Sequence, residues 1–329
     1  MTKGNRLVGS APTVLIVGFG DIGERVANLL VPSQRVVALI RNPDRLTAVE
    51  TTGAHCLQGD LDDLESLGAI VGLASTVFHF SPPPNIGEDD PRTKNLLLAL
   101  SQGRLPQRLV YISTTGVYGD CDGGWIDETA PLKPQSARAQ RRVAAEQRLM
   151  AWARDNGVKL AILRAPGIYA ANRLPLDRIR AGTSAIIQTE DSWSNHIHAE
   201  DLAHAAVRAF EFFGEGGESG DSGEGGEGGE GAEGAEGGED AEGSHELVLN
   251  VVDDTQLKMG DYFDVVADHF KLAKPPRITR VEAESQVSAA MLSFMRESRR
   301  IRNDKLKTTL RFTFNYPTVQ IFLAQLGKV

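Results

Sequence analysis

Val14-Leu-Ile-Val-Gly18-Phe-Gly20-Asp-Ile-Gly23 is the stretch on which the fold turns. Its first four residues form a short apolar run rich in β-branched side chains, which reads as a buried strand. The run ends on a glycine, and Ile22, Val26, Leu29 and Leu30 then recur at helical spacing. Gly18 permits a tight turn, Gly20 lets the backbone approach a pyrophosphate, and Gly23 lets the helix pack closely on the strand. The helix N-terminus, with its dipole and unsatisfied N–H groups, would then face the anion. In isolation the motif is weak, but here it has the strand-turn-helix context that it requires. Gly18, Phe19, Gly20, Asp21, Ile22 and Gly23 are therefore expected to hold the phosphates of a dinucleotide.

Outward from this turn the same alternation recurs. Strands are expected at residues 35–40, 54–57 and 76–80, with helices at 44–50 and 62–70 between them. Asp90 as cap and Pro91 in the first turn announce a further helix to about residue 102, followed by a strand at 108–113. A long helix at 136–155 stops at Asn156-Gly157, and 158–164 supplies another strand. After Pro166 the rhythm breaks into helical segments near 174–180, 200–213, 259–270 and 281–295, with one more strand at 246–252. The fold class is α/β: a doubly wound parallel Rossmann sheet with a small, mainly helical C-terminal substrate lobe. Residues 11–167 and 193–252 are assigned to the dinucleotide-binding domain, and 168–192 and 253–329 to the substrate lobe.

With 329 residues, 41% of them hydrophobic, the chain can bury a substantial core. No apolar run is long enough to span a membrane or form a signal-peptide core, so a cytoplasmic protein is expected. Cys56 and Cys121 stand far apart, without His or Cys at ligand spacing, so neither a disulfide framework nor a metal site is expected. The net charge of −9 is misleading, because residues 214–243 hold 11 acidic residues and no basic one; setting them aside leaves the body at +2. A near-neutral body argues against nucleic acid or membrane as a partner and leaves a small-molecule substrate, with a homodimer open. The Gly- and acid-rich tract itself is too poor in apolar residues to offset its ordering entropy and reads as a disordered low-complexity loop. Arg138, Arg141, Arg142 and Arg148 share one helical stretch, where a solvated face and a phosphate-facing role are both open.

The end of the second strand bears on the cofactor. An NAD site wants Asp or Glu there to accept from the ribose hydroxyls, whereas the sequence reads Ala38-Leu-Ile-Arg41-Asn42-Pro43. Arg41 would meet a 2'-phosphate, so NADP(H) is favoured over NAD, the alternative being that Arg41 is a surface residue opening a loop.

Six runs in order carry a resemblance. They are Gly18-Phe-Gly-Asp-Ile-Gly23, Gly59-Asp60-Leu-Asp-Asp63, Phe78-His-Phe-Ser-Pro-Pro83, Tyr111-Ile-Ser-Thr-Thr-Gly-Val-Tyr-Gly119, Arg164-Ala-Pro-Gly-Ile-Tyr169 and Asn195-His-Ile-His-Ala-Glu-Asp-Leu-Ala203. The chain resembles an extended short-chain dehydrogenase/reductase, and within it the NAD-dependent epimerase/dehydratase branch. The resemblance puts Asp60 and Leu61 beside the adenine, Phe80, Ser81 and Pro82 under the ribose and nicotinamide, and Pro166 at the nicotinamide's border. Thr114 falls where the family has the Ser or Thr that holds the substrate oxygen, and its neighbours Ser113 and Thr115 could take its place.

The sequence also departs from the family. That branch places Tyr and Lys at i and i+4 on the following helix, with Glu four residues further on. Glu146 fixes the alignment, so the Lys position is Arg142 and the Tyr position is Arg138. Arginine stays protonated and cannot exchange a proton near neutral pH. The glycine spacing, too, is that of ordinary Rossmann proteins. The combination looks like the atypical short-chain dehydrogenases that keep the fold but lack the Tyr/Lys pair. Arg142 could hold the nicotinamide ribose, and Arg138 could polarise a substrate oxygen or pair with a carboxylate; a basic surface helix explains both equally. Tyr118, Tyr169, His79, His196 and His198 are further candidate proton donors. No Ser-His-Asp or Cys-His arrangement is present.

Two functions follow. One is an NAD(P)-dependent oxidoreductase or epimerase acting on a small carbonyl or hydroxyl compound, with Thr114, Arg138 and Arg142 at its centre. The other is a non-catalytic dinucleotide-binding protein that senses redox state or regulates a partner. An unrelated Rossmann hydroxy-acid dehydrogenase is disfavoured by the runs at 78–83 and 195–203.

Overall fold

The computed structural model describes residues 12–215, 245–286, 292 and 295–327. Strand β1 (Thr13–Val17) is buried along its whole length, because it lies at the centre of a parallel sheet covered on both faces. The other sheet strands are β2 (Arg35–Ile40), β3 (His55–Gln58), β4 (Thr76–His79), β5 (Arg108–Thr114), β6 (Lys159–Ala165) and β7 (Glu246–Asn250). Among the described residues the sheet has seven strands in the order β7-β6-β5-β4-β1-β2-β3, all pairs parallel. The order reverses between β1 and β4, where Val17 stands opposite His79. A crevice opens at such a switch point, beyond the carboxyl ends of the strands.

The two-residue side-chain period of β1 sorts the core into two layers. Val14 and Ile16 face helices α1 (Asp21–Leu30) and α2 (Leu46–Thr52), while Leu15 and Val17 face helices α3 (Pro91–Leu100) and α4 (Ala137–Asn156). Helix α5 (Leu176–Arg180) follows β6, and helix α6 (Ala199–Glu215) packs beside α1 with Leu202, Ala206 and Ala209 fully buried. Beyond the sheet, Tyr169 and Ile179 join Phe263 and Val266 of α7 (Met259–His269) and Phe322 in a separate apolar cluster.

Element boundaries differ from the sequence reading where capping chemistry decides them. The expected helix at 62–70 is a 3-10 helix, Leu64–Ile70, opened by the Asp63 carboxylate accepting from Glu65 N at 3.1 Å. The one at 44–50 starts as a 3-10 turn capped by Asn42 and runs on as α2 to Thr52, where Gly53 at φ 82° ends it. Helix α6 continues to Glu215, so Gly214 and Glu215 belong to it rather than to the acidic tract. The remainder of that tract, from 216 to 243, lies outside the described residues. No helix among the described residues is long and apolar enough to cross a membrane.

Candidate active site

The glycine turn is built by close backbone packing. Both Phe80 N and Ser81 N donate to the Val17 carbonyl, at 2.8 and 3.1 Å, so the chain leaving β4 folds over the end of β1. Gly18 has φ +94°, and a Cβ there would lie 2.5 Å from Ser81 N. A Cβ on Gly23 would lie 2.8 Å from the Gly18 carbonyl oxygen. Gly20 is different: its Cβ would meet nothing within 4 Å. It caps α1 without a side-chain hydrogen bond, leaving the first-turn N–H groups to a ligand. Asp21, an acid in that first turn, is held by Arg25 at 2.9 Å and Arg173 at 3.1 Å, which offsets its repulsion of an anion.

A cavity of about 230 Å3 lies beside this turn, lined by Gly18, Phe19, Arg41, Asp60, Leu61, Ser81 and Pro82 among others. These are sequence-assigned positions from four separate runs, brought to one place. Phe19 and Ile22 are buried, and Phe80 packs its ring on Phe78 at 5.6 Å without lining the cavity. Two arginines that the sequence reading missed, Arg45 and Arg92, line the cavity as well. Arg45 donates to the Phe19 carbonyl at 3.2 Å. Arg92 grips Asp62 with two hydrogen bonds, 2.8 and 2.7 Å, and donates to the Pro82 carbonyl at 3.1 Å. That grip holds the Asp62 carboxyl below its usual range, aided by the charge of Arg41 and opposed by burial. Arg41 reaches Asp62 only at 3.4 Å and is 62% exposed, so its guanidinium remains open to a further anion.

Across Pro82 lies a second cavity, of about 440 Å3, lined by Thr114, Arg138, Arg142 and Pro166 of the sequence-assigned set. Thr114 ends β5, half-buried, and its Oγ1 accepts from Gly116 N at 3.2 Å, which caps the 3-10 turn Thr115–Tyr118. Thr115 also lines the cavity, whereas Ser113 is buried and does not. Arg142 donates to the Tyr111 hydroxyl and to the Ile112 carbonyl, both at 2.9 Å, so the helix side chain is tied to the floor of β5. Arg141 donates to the Gly87 carbonyl at 2.5 Å and is 6% exposed. Arg148, the fourth of the cluster, faces away and binds Asp89 at 3.0 Å. Arg173, Trp193, Glu297 and Arg299 also line it and were not found in the sequence.

The remaining candidate proton donors are buried away from this cavity. Tyr118 donates to Asn250 at 2.7 Å and accepts from Arg164 at 2.8 Å. Tyr169 donates to the Asp253 carboxylate at 2.9 Å. His79 is held by Thr93 at 2.9 Å, and burial pushes its pKa down to about 3. His196 and His198 sit on one short strand, both buried, and are pushed down to about 4 by desolvation. Among the described residues the cavity lining contains no Tyr, His, Cys or Lys, and Glu297 is its one carboxylate. No group of three or more His, Cys, Asp or Glu is placed to hold a metal ion among the described residues.

Residues 14–221 match the model of the NAD dependent epimerase/dehydratase family. The chain belongs to the NAD-dependent epimerase/dehydratase family. It is 28% identical over 127 residues to dTDP-glucose 4,6-dehydratase of Mycolicibacterium smegmatis, a match covering 34% of this chain and 38% of that enzyme. The match thus spans little more than a third of the relative. Among solved structures it is similar to a functionally unknown conserved protein from Silicibacter pomeroyi, at 27% identity and a TM-score of 0.71 over 96% of this chain and 98% of that one. It is also similar to MoeE5 in complex with UDP-glucose and NAD, at 21% identity and a TM-score of 0.69 over 95% of this chain and 96% of that one, a likeness of fold.

In this member of the epimerase/dehydratase family, arginines stand at the two helix positions where the family resemblance leads one to expect Tyr and Lys. The glycine turn and its cavity fit a dinucleotide, since only Gly20 keeps an open Cβ position while Gly18 and Gly23 are closed by backbone. Glu146, which aligned the helix, is not at the cavity: it is 1% exposed and binds Arg164 at 2.8 Å.

Proposed function

We propose that this chain is an NADP(H)-dependent oxidoreductase or epimerase-type enzyme acting on a small carbonyl or hydroxyl compound. The observation that carries the reading is the meeting of two cavities at Pro82, one beside the glycine turn and one floored by Thr114. A dinucleotide laid along the strand ends would have its pyrophosphate at Gly20 and its adenine beside Asp60 and Leu61. When bound, its nicotinamide would supply hydride exchange with a substrate carbon. Arg41 would pair with the 2'-phosphate, because Arg92 already satisfies Asp62 and no acid competes at the end of β2. Thr114 would orient the reacting oxygen by hydrogen bonding, with Arg142 holding the ribose and Pro166 bordering the ring. Residues 168–192 and 253–329 would form the substrate lobe. Glu297, the one carboxylate of the lining, would exchange the proton in place of the tyrosine that the family resemblance leads one to expect.

A second reading is that the chain binds the dinucleotide without turning over a substrate. It is supported by the absence of Tyr, His, Cys and Lys from the described lining. The two are separated by following NADPH absorbance with a panel of ketones, aldehydes and sugars. Oxidation with any member, reduced strongly in Thr114→Ala, supports the enzyme. Tight NADPH binding with no turnover across the panel rejects it in favour of the binding protein.

A further inference from the structure

The cavity across Pro82 is lined by five arginines, Arg138, Arg141, Arg142, Arg173 and Arg299, against the single carboxylate of Glu297. Arg173 is paired with Asp21 at 3.1 Å and Arg299 with Glu297 at 2.8 Å. Arg141 and Arg142 are not met in this way. Their hydrogen bonds go to the neutral Gly87 and Ile112 carbonyls and the Tyr111 hydroxyl. Arg138 feels the charges of Glu297, Arg142, Arg141 and Arg299 together. Guanidinium does not lose its proton in proteins, so this repulsion cannot be relieved by titration.

A second observation points the same way. Arg141 and Arg299 are 6% and 8% exposed, and each has a buried Nε without a hydrogen-bond partner. A buried donor left unpaired is costly, and a cationic one more so, unless a ligand meets it. The planar guanidinium fork is suited to carboxylates and phosphates. The rest of the lining includes Ile168, Trp193 and Met259, which offer apolar surface.

We infer that this cavity takes a small organic oxyanion, a carboxylate or phosphate ester with an apolar remainder, and that Arg138 and Arg141 of α4 hold its charged group beside Thr114. The inference rests on the cavity being the substrate site of the proposed function and names the class of substrate. The charged group lies at the helix position where the family resemblance leads one to expect Tyr.

The test uses the full chain, with benzoate, phenyl phosphate and benzyl alcohol titrated calorimetrically with and without saturating NADPH. At least one anion is expected to bind tenfold or more tightly than the alcohol, and to weaken as salt is raised, because charge-assisted hydrogen bonds are worth about ten- to a hundredfold. The tighter of benzoate and phenyl phosphate assigns the carboxylate or the phosphate. Arg138→Gln, at the exposed start of α4, should lower that affinity about tenfold with the melting temperature retained; Arg141→Gln repeats the test within the wall. Equal binding of all three probes overturns the inference. So does anion binding that persists unchanged in Arg138→Gln and Arg141→Gln, which would place the anion elsewhere, at the glycine turn. Failure of NADPH to bind counts against the proposed function, whereas Arg138-dependent anion binding supports this inference with or without NADPH.

Discussion

Three glycines in one turn are interchangeable as letters but not as neighbours. Gly18 and Gly23 are closed by backbone at 2.5 and 2.8 Å, whereas Gly20 faces open space. Gly18→Ala should therefore damage folding, through both its positive φ and the clash, and be read as a lower melting temperature or insoluble protein. Arg41→Ala should remove most of an NADPH-over-NADH preference, about ten- to a hundredfold, with NADH affinity little changed. Equal binding of the two cofactors by the unmodified protein would contradict the 2'-phosphate assignment. Thr114→Ala should lower turnover strongly and leave NADPH affinity nearly intact; parallel loss of both would show that the hydroxyl serves the cofactor instead. That Gly18, Arg41 and Thr114 lie at the two cavities was legible, because each stands at or just beyond the end of a strand that the sequence marks. Glu297 and Arg299 were not, since they reach the cavity from a part of the chain more than a hundred residues away, without a local pattern.

Helix α4 shows how an element can be placed correctly for a reason the sequence conceals. Glu146 served as a marker of register, but its physical work is to bind Arg164 of β6, which in turn reaches Tyr118, itself bonded to Asn250 of β7. Four elements are thereby joined through one buried network. Glu146→Ala would leave Arg164 charged, buried and unpaired, with an expected loss of about 3–5 kcal/mol in unfolding free energy. A denaturant titration showing less than 1 kcal/mol would mean that the pair is relieved by water or by repacking. Strand and helix identities were legible from periodicity, while the 3-10 helix Leu64–Ile70 was not, because its geometry follows from the Asp63 cap rather than from apolar spacing. The pairing of the short strand His196–His198 with Gly167–Tyr169 was not legible either, because it is non-local.

Over the whole molecule, buried titratable groups set a pH dependence. In the unfolded chain an imidazole titrates near about 6.5. Burial pushes His79 down to about 3, and His196 and His198 to about 4. Below about pH 6.5 the unfolded chain takes up protons that the folded chain refuses, so stability falls as pH is lowered toward about 4. Asp253 acts in the opposite sense: burial raises it to about 7, so the folded chain carries its proton between about pH 3.9 and 7. Asp191, Asp201 and Glu128, also raised by burial, act in the same sense as Asp253, and the three imidazoles oppose them as pH falls below about 6.5. The melting temperature should therefore be lower at pH 5.5 than at pH 7.5, and an unchanged or higher value would mean that these imidazoles are not held neutral. The doubly wound sheet was legible from alternation alone, but the opposed burial of His196, His198 and Asp253 was not, because all three are enclosed by side chains distant in sequence.

The central claim is that the glycine turn holds a nicotinamide dinucleotide across the strand ends. Fluorescence titration of NADPH into the native chain and Gly20→Ala, with melting temperatures taken on the same samples, tests it most directly. Saturable binding by the native chain is expected, with an equally stable Gly20→Ala variant whose affinity is lowered by tenfold or more, because the added methyl would enter space that no protein atom fills and that the pyrophosphate would occupy. A native chain that binds neither NADPH nor NADH, or a folded Gly20→Ala that binds as tightly as the native chain, would contradict it.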